Sequence, residues 1–296
     1  MITVASKLGS VIEEEMENEI GIMYDGWTHG TMHYVAVYGI YVVGDRLLRS
    51  LLAHSPLDGG SQDADAHIDF FRNVLAVYNK TVYMIVFMIA DNCNIDRSIA
   101  TKLGVPLVGC ASHRFNLAVK KFLTEHESLL QKVNNLMQQL RYPNNAAQLA
   151  KLTPLLDKTR NVTYWASTYE MQERYVNLRA HVRQIEAVED SLPSTSEHKK
   201  LCALLVQLTK LDSVCKRLQS DTTSMGEVRL LFDSVLLDYP IMGKSLKTNS
   251  KIVHSPIFEN GLVKVGAGEK LSAAETTALK RFEGQQSTQR PSETGR

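Results

Sequence analysis

The stretch "VYMIVFMIAD", Val82 to Asp91, constrains this chain more than any other. Nearly unbroken apolar character leaves no polar alternation, so a strand built from it needs cover on both faces. It is too short to cross a bilayer, which takes about 20 residues. Such a strand belongs inside a sheet with helices around it, and this one delivers a carboxylate, Asp91, at its end. A second stretch, "EIGIMYDGW", repeats the pattern: a short apolar strand that runs into Asp25.

The segments around these two runs predict an α/β fold. "MHYVAVYGIYVV" follows within a few residues, and "DRLLRSLLAHSPL" supplies a third strand, ended by Pro56 and the "DGG" at Asp58 to Gly60. Short connections between the three suggest an antiparallel meander. In "DADAHIDFFRNVLAVYNK", Ile68, Phe71, Leu75 and Tyr78 share one helical face, which predicts a crossover helix. After the run to Asp91 comes a short helix near Ile95 to Leu103, then "VPLVGC" as a fifth strand. Three meandering strands, then two alternating with helices, describe a mixed sheet.

From Ser112 onward the pattern is helical. Phe115, Val119, Phe122, Leu129, Val133, Leu136 and Leu140 form one stripe, after which Pro143 intervenes. Met171 to Ile185, Leu201 to Leu218 and Val228 to Val235 carry three more, with "DSLPSTSEHKK" as a polar loop between the second and third. The closing "EGQQSTQRPSETGR" is predicted to be disordered. The expected division is a sheet-bearing core over 1–142, a helical region over 143–282 and a tail over 283–296.

Composition excludes some classes of function. The chain has 296 residues, 33 Lys plus Arg against 32 Asp plus Glu, so any nucleic-acid surface has to be a local patch. Cys93, Cys110, Cys202 and Cys215 make no CxxC pair, which suits a reduced intracellular chain. The acidic start, "MITVASKLGSVIEEEMENEI", is unlike a signal peptide, and no membrane partner is expected.

Two strands that each end on an aspartate could form a metal site if they are neighbours. Mg²⁺ takes hard oxygens, held by one or two carboxylates together with substrate phosphate. The alternative is that each acid caps a strand or the following helix, where Asn92 or Asn94 would serve equally. Cys110 and His113 form a CxxH pair, half of a zinc site with no second half, so no zinc is expected. Trp165 starts a predicted helix and either stacks on an unpaired base or anchors packing. Arg114, Lys120 and Lys121 make a modest basic cluster. His29, His33, His54 and His67 are scattered and given no role, and there is no Gly-rich phosphate loop, Ser-His-Asp pattern or HExxH.

Taken in order, three segments resemble the hAT (hobo–Activator) transposases, of the kind abundant in oomycetes. "YDGWT" looks like the family's first catalytic aspartate segment. "ADNCNIDRSIATKLGVPLVGCASHRFNLAV" looks like its second, with the family's CxxH, and "NVTYWASTYEM" is similar to the motif that opens its helical insertion. "SPIFENGLVKV" also fits. The resemblance implies a ribonuclease-H-like mixed sheet interrupted by an all-helical insertion. It implies Asp25 and Asp91 as two of three acidic ligands for Mg²⁺ or Mn²⁺, with His113 beside the active site and Cys110 as its structural neighbour. Trp165 would hold a flipped base, Arg114 and Lys120 would contact nucleic acid, and the protein would be nuclear with DNA as partner.

The departures shape the expected activity. The family's third acid, a Glu within a segment like "SN-ER-FS" that also mediates dimerisation, has no counterpart here; Glu259 and Glu275 lie in the right region without the motif. Tyr164 stands where the family has Arg, and the family's N-terminal zinc finger has no counterpart. The expectation is a truncated derivative, fold incomplete at its C-terminus, catalytically inactive with residual nucleic-acid binding and without the family's homo-oligomer contact. Its alternatives are an active metal-dependent strand-transfer nuclease with the third acid supplied elsewhere, and a domesticated helical protein-interaction module.

Overall fold

The computed structural model describes residues 2–57, 62–161 and 163–283. The elements run α1 (Ile2–Glu15), β1 (Ile20–His29), β2 (Met32–Val43), β3 (Arg46–Pro56), α2 (Ala64–Ala76), β4 (Ile85–Ala90), α3 (Asn94–Leu103) and β5 (Leu107–Gly109). They continue through α4 (Ala111–Leu123), α5 (Glu127–Gln139), α6 (Pro143–Leu152), α7 (Trp165–Val182), α8 (Thr195–Leu218) and α9 (Met225–Asp238). The last are α10 (Gly243–Leu246), α11 (Pro256–Ala267) and α12 (Ala273–Leu279). The chain divides into two compact units, one holding residues up to Val108 together with those from Val253 onward, the other Gly109–Ile252. This differs from the expected boundaries at 142 and 282: α11 and α12 belong with the sheet. Among the described residues no helix is long and apolar enough to cross a membrane.

The first unit is α/β, built on one mixed five-stranded sheet in the order β3-β2-β1-β4-β5. β1 is central, antiparallel to β2 and parallel to β4. On one face Ile20, Ile22 and Tyr24 of β1, Val35, Val37 and Tyr41 of β2, and Met88 and Ala90 of β4 are buried in a single cluster with Phe71 and Leu75 of α2. Each large side chain removed from water there contributes about 1.5–3 kcal/mol. The predicted strand from Val82 is shortened, because Val82–Met84 form one tight 3₁₀ turn before β4 begins. Helix α1 had no counterpart in the sequence reading; Ile12 near its end and Met16 just after it are buried in the sheet core.

On the opposite face the β4 side is covered from the C-terminal segment: the Phe282 ring lies 6.1 Å from Phe87, and the Arg281 guanidinium donates to the carbonyls of Val86 and Gly104. On its β2–β3 side Val42, Leu47 and Leu51 are exposed. One residue is extra in β3, where the register shifts between Val37 and Tyr38, and Leu52 turns into the core.

The second unit is all helical. Phe115, Val119, Leu130, Val133, Leu136, Met171, Tyr175, Leu178, Leu201, Leu204, Leu208 and Phe232 share one core, so the predicted stripes are the buried faces of α4, α5, α7, α8 and α9. Pro143 opens α6 at its first turn, where its missing N–H costs nothing. The predicted polar loop from Asp190 to Lys200 is much shorter: α8 starts at Thr195 with Ser194 and Glu197 as a capping box, a signal that "STSE" carries openly. The disorder expected for the tail falls on residues 284–296, outside the described ones.

Candidate functional site

Asp25 and Asp91 are set by one strand pairing. β1 and β4 run parallel with Gly21 beside Phe87, Ile22 beside Met88 and Met23 beside Ile89. The pairing ends at Met23 and Ile89; Asp91 directly follows β4, whereas β1 continues through Asp25 to His29, so the strand end expected at Asp25 lies four residues further on because β1 stays paired with β2. Alternation along β1 fixes the face of Asp25. A Cβ on Gly21 would lie 2.2 Å from the Phe87 ring, so Phe87 leans over Gly21 on the face away from buried Ile22 and Tyr24. Asp25, four residues after Gly21 on β1, is on that face, while Asp91 lies just beyond the end of β4. Asp25 is exposed and Asp91 half-buried.

Directly after Asp91 the backbone turns left-handed at Asn92, with φ of 63°. Asn is one of the few side chains that tolerate this region. Asn92 is only 6 % exposed, and neither its Oδ1 nor its Nδ2 has a hydrogen-bond partner. Such orphaned amides are rare in folded proteins and cost about 1–3 kcal/mol.

On the helix-covered face the same strand ends carry a closed polar network. The Tyr24 hydroxyl donates to Asp96 Oδ1 at 2.5 Å, and the Cys93 N–H donates to Asp96 Oδ2 at 2.9 Å. Burial, followed by the neighbouring Asp96 carboxylate, pushes the Tyr24 phenol far above its ordinary range. The Tyr24 ring packs edge-on against Phe71 with centroids 4.9 Å apart. Asp96 therefore tethers α3 to β1. The sequence reading missed it, although a carboxylate in the first turn of a helix is a recognisable capping signal.

Glu275 accepts from Lys264 Nζ and the Ser272 N–H, each at 2.8 Å, and these contacts hold its carboxyl at about 2. Glu259 is buried in α11. Among the described residues no group of three or more His, Cys, Asp or Glu side chains could hold a metal ion.

An aromatic cluster stands on the Asp25 face. Trp27 and Tyr34 are direct cross-strand neighbours, and their rings stack with centroids 5.8 Å apart and planes within 16°. His54 of β3 stacks on Trp27 at 5.1 Å and 14°. The sequence reading left His54 without a role, since only the β2–β3 register reveals that it shares a face with Tyr34.

The remaining predicted site residues lie in the helical unit. Cys110 precedes α4 and His113 sits in its first turn, both half-buried. Arg114 is buried, its guanidinium donating to the carbonyls of Ser245 and Lys247 at 3.1 and 3.2 Å and lying over the Phe232 ring. It closes the C-terminal end of α10, a packing role in place of the expected phosphate contact. Trp165 is 3 % exposed, with Phe115 edge-on and Tyr169 beside it. Stacking on a base would require that ring to be uncovered first. Lys120 and Lys121 are exposed in the last turn of α4. No known protein-family model matches this chain, and no curated protein matches it.

Proposed function

We propose that this chain is a hAT-transposase-like protein whose ribonuclease-H-like core binds nucleic acid and is catalytically inactive or nearly so. One observation carries the reading: Asp25, within β1, and Asp91, directly after β4, belong to neighbouring parallel strands of one sheet. The sheet order, with a three-stranded meander next to parallel β4, supports a ribonuclease-H-like core, and the helical unit following β5 supports an insertion. A nuclear location and DNA as partner go with this reading.

The chain's own residues account for weak chemistry. Asp25 is held by the β1–β2 ladder opposite Ala36, and Asp91 directly follows β4; in this reading the two would offer oxygen atoms to one cation. A bound Mg²⁺ or Mn²⁺ would polarise a phosphate and lower the pKa of a water molecule. With only two acidic ligands the ion is held weakly and the phosphate is poorly aligned, which forfeits much of the rate that positioning supplies. The same pairing of strands favours a second reading, an active strand-transfer nuclease with its third acid supplied elsewhere.

A nicking assay on hairpin and nicked DNA, in Mg²⁺ and Mn²⁺, separates the two. The expected result is DNA binding with no metal-dependent cleavage above background. Cleavage that disappears in both Asp25→Ala and Asp91→Ala would reject the inactive reading in favour of the second.

A further inference from the structure

We propose that His254 and Ser255 form an acid-released clip that fastens the α11–α12 hairpin to the β5 side of the sheet. Ser255 stands at the N-cap of α11. Ser194, Ser224 and Ser272 hold the same position in α8, α9 and α12, and the side chain of each accepts an N–H of its own helix. Ser255 makes no such cap. Its Oγ instead accepts the Leu107 N–H of β5 at 3.1 Å and lies 2.9 Å from His254 Nδ1. Across the imidazole, Nε2 lies 3.2 Å from Thr101 Oγ1, and that hydroxyl donates to the Arg97 carbonyl at 2.7 Å.

These partners fix the protons. The Thr101 hydrogen goes to a carbonyl, so its oxygen accepts from His254 Nε2–H. Nδ1 is then bare and accepts from the Ser255 hydroxyl. One neutral tautomer thus joins α3, β5 and the start of α11. A proton added at Nδ1 leaves Ser255 between two donors, the imidazolium and the Leu107 N–H, with no partner for its own hydrogen. On α3, Arg97 acts on the imidazole, Asp96 is turned to Tyr24, and Lys102 is paired with Asp65. β5 brings no titratable group, and Glu259 lies in the first turn of α11. Burial first, then the Arg97 cation, hold the imidazole below its ordinary 6.5. The clip is therefore complete above about 6.5 and is lost as pH falls below that, through the folded value.

The hairpin is built to move as one piece. Lys264 Nζ donates to Glu275 at 2.8 Å, and a Cβ on Gly261 would come within 2.9 Å of Leu279. Its buried Phe258 and Leu279 lie outside the sheet core. It is tied to the sheet before α11 by the clip and after α12 by Arg281 and Phe282. Loss of the clip frees one end and loosens the cover over Phe87.

Hydrogen exchange of the full chain, followed by mass spectrometry between about pH 7.5 and about pH 5 and corrected for the intrinsic rate of free amides, tests this. Glu275 titrates well below that window. Protection of 256–282 should fall several-fold toward the acid end, while β1 and α8 keep theirs. His254→Asn retains an acceptor for Ser255 without a titratable ring, and should remove the pH dependence. Ser255→Ala, which breaks two links at once, should leave the hairpin poorly protected at both ends of the range. Unchanged protection of the native hairpin at about pH 5, a decline that persists in His254→Asn, native-like protection in Ser255→Ala, or an equal loss in β1 would each overturn the proposal.

Discussion

In the helical unit buried polar side chains serve the backbone. Arg114 closes the end of α10, Asn134 accepts the Arg160 N–H, Asn145 donates to the Gln139 carbonyl and Gln172 to that of Leu201, with Gln172 Oε1 left over. In the sheet unit two of them, Asn92 and Asp96, lie just beyond the end of β4, beside Tyr24 of β1. Tyr24 and Asp96 satisfy each other there, while Asn92, next to Asp91, satisfies nothing. The first arrangement holds turns and helix ends in place. The second accepts an unrewarded amide in a left-handed turn directly after Asp91, and cost of this kind concentrates at binding sites.

The largest effects should come from the two cores. Phe71→Ala in the sheet unit and Leu208→Ala in the helical unit should each lose about 3–4 kcal/mol, read from denaturant midpoints. Only Phe71→Ala removes the ring that supports Tyr24, so only it should also weaken DNA binding; equal weakening by both would dissolve the contrast between units. A smaller effect has the opposite sign. Asn92→Gly removes an orphaned amide and suits a φ of 63°, so it should stabilise by about 1 kcal/mol after the added freedom of the unfolded chain is counted. Loss of stability in Asn92→Gly would mean that this amide is part of the scaffold after all.

The smallest effect is shared by both units. Glu197 is held at about 2 by Lys132 and the Ser194 N–H, and Glu275 at about 2 by Lys264 and the Ser272 N–H, against an ordinary 4.5. A carboxyl with a depressed folded pKa stabilises fully above its unfolded value and loses that contribution as pH falls through its folded one. Urea midpoints should therefore decline from about pH 4.5 toward 2, and Glu197→Gln and Glu275→Gln should each flatten part of that decline. A decline confined to one variant would show that the two capping boxes differ in strength.

Much of the fold was legible because its signals are local. Alternation and apolar runs gave β1 to β5, and three- and four-residue stripes gave the helical core down to Leu208 and Val235. The unit boundary was not legible, since nothing local in "SPIFENGLVKV" says that α11 joins the sheet; Arg281 and Phe282 make that link from far along the chain. The site was half legible. The apolar run announced the end of β4 before Asp91, but not that β1 continues past Asp25 to His29, and the Trp27–Tyr34–His54 stack follows from two registers at once. The emphasis on Trp165 came from its motif, which carries no information about how deeply a ring is enclosed.

Gly21 gives the Phe87 ring its place. That ring occupies the volume that any side chain at position 21 would need. A single methyl there would have to push the ring off the sheet face, so the cover that Phe282 forms with Phe87 depends on an atom that the chain leaves out.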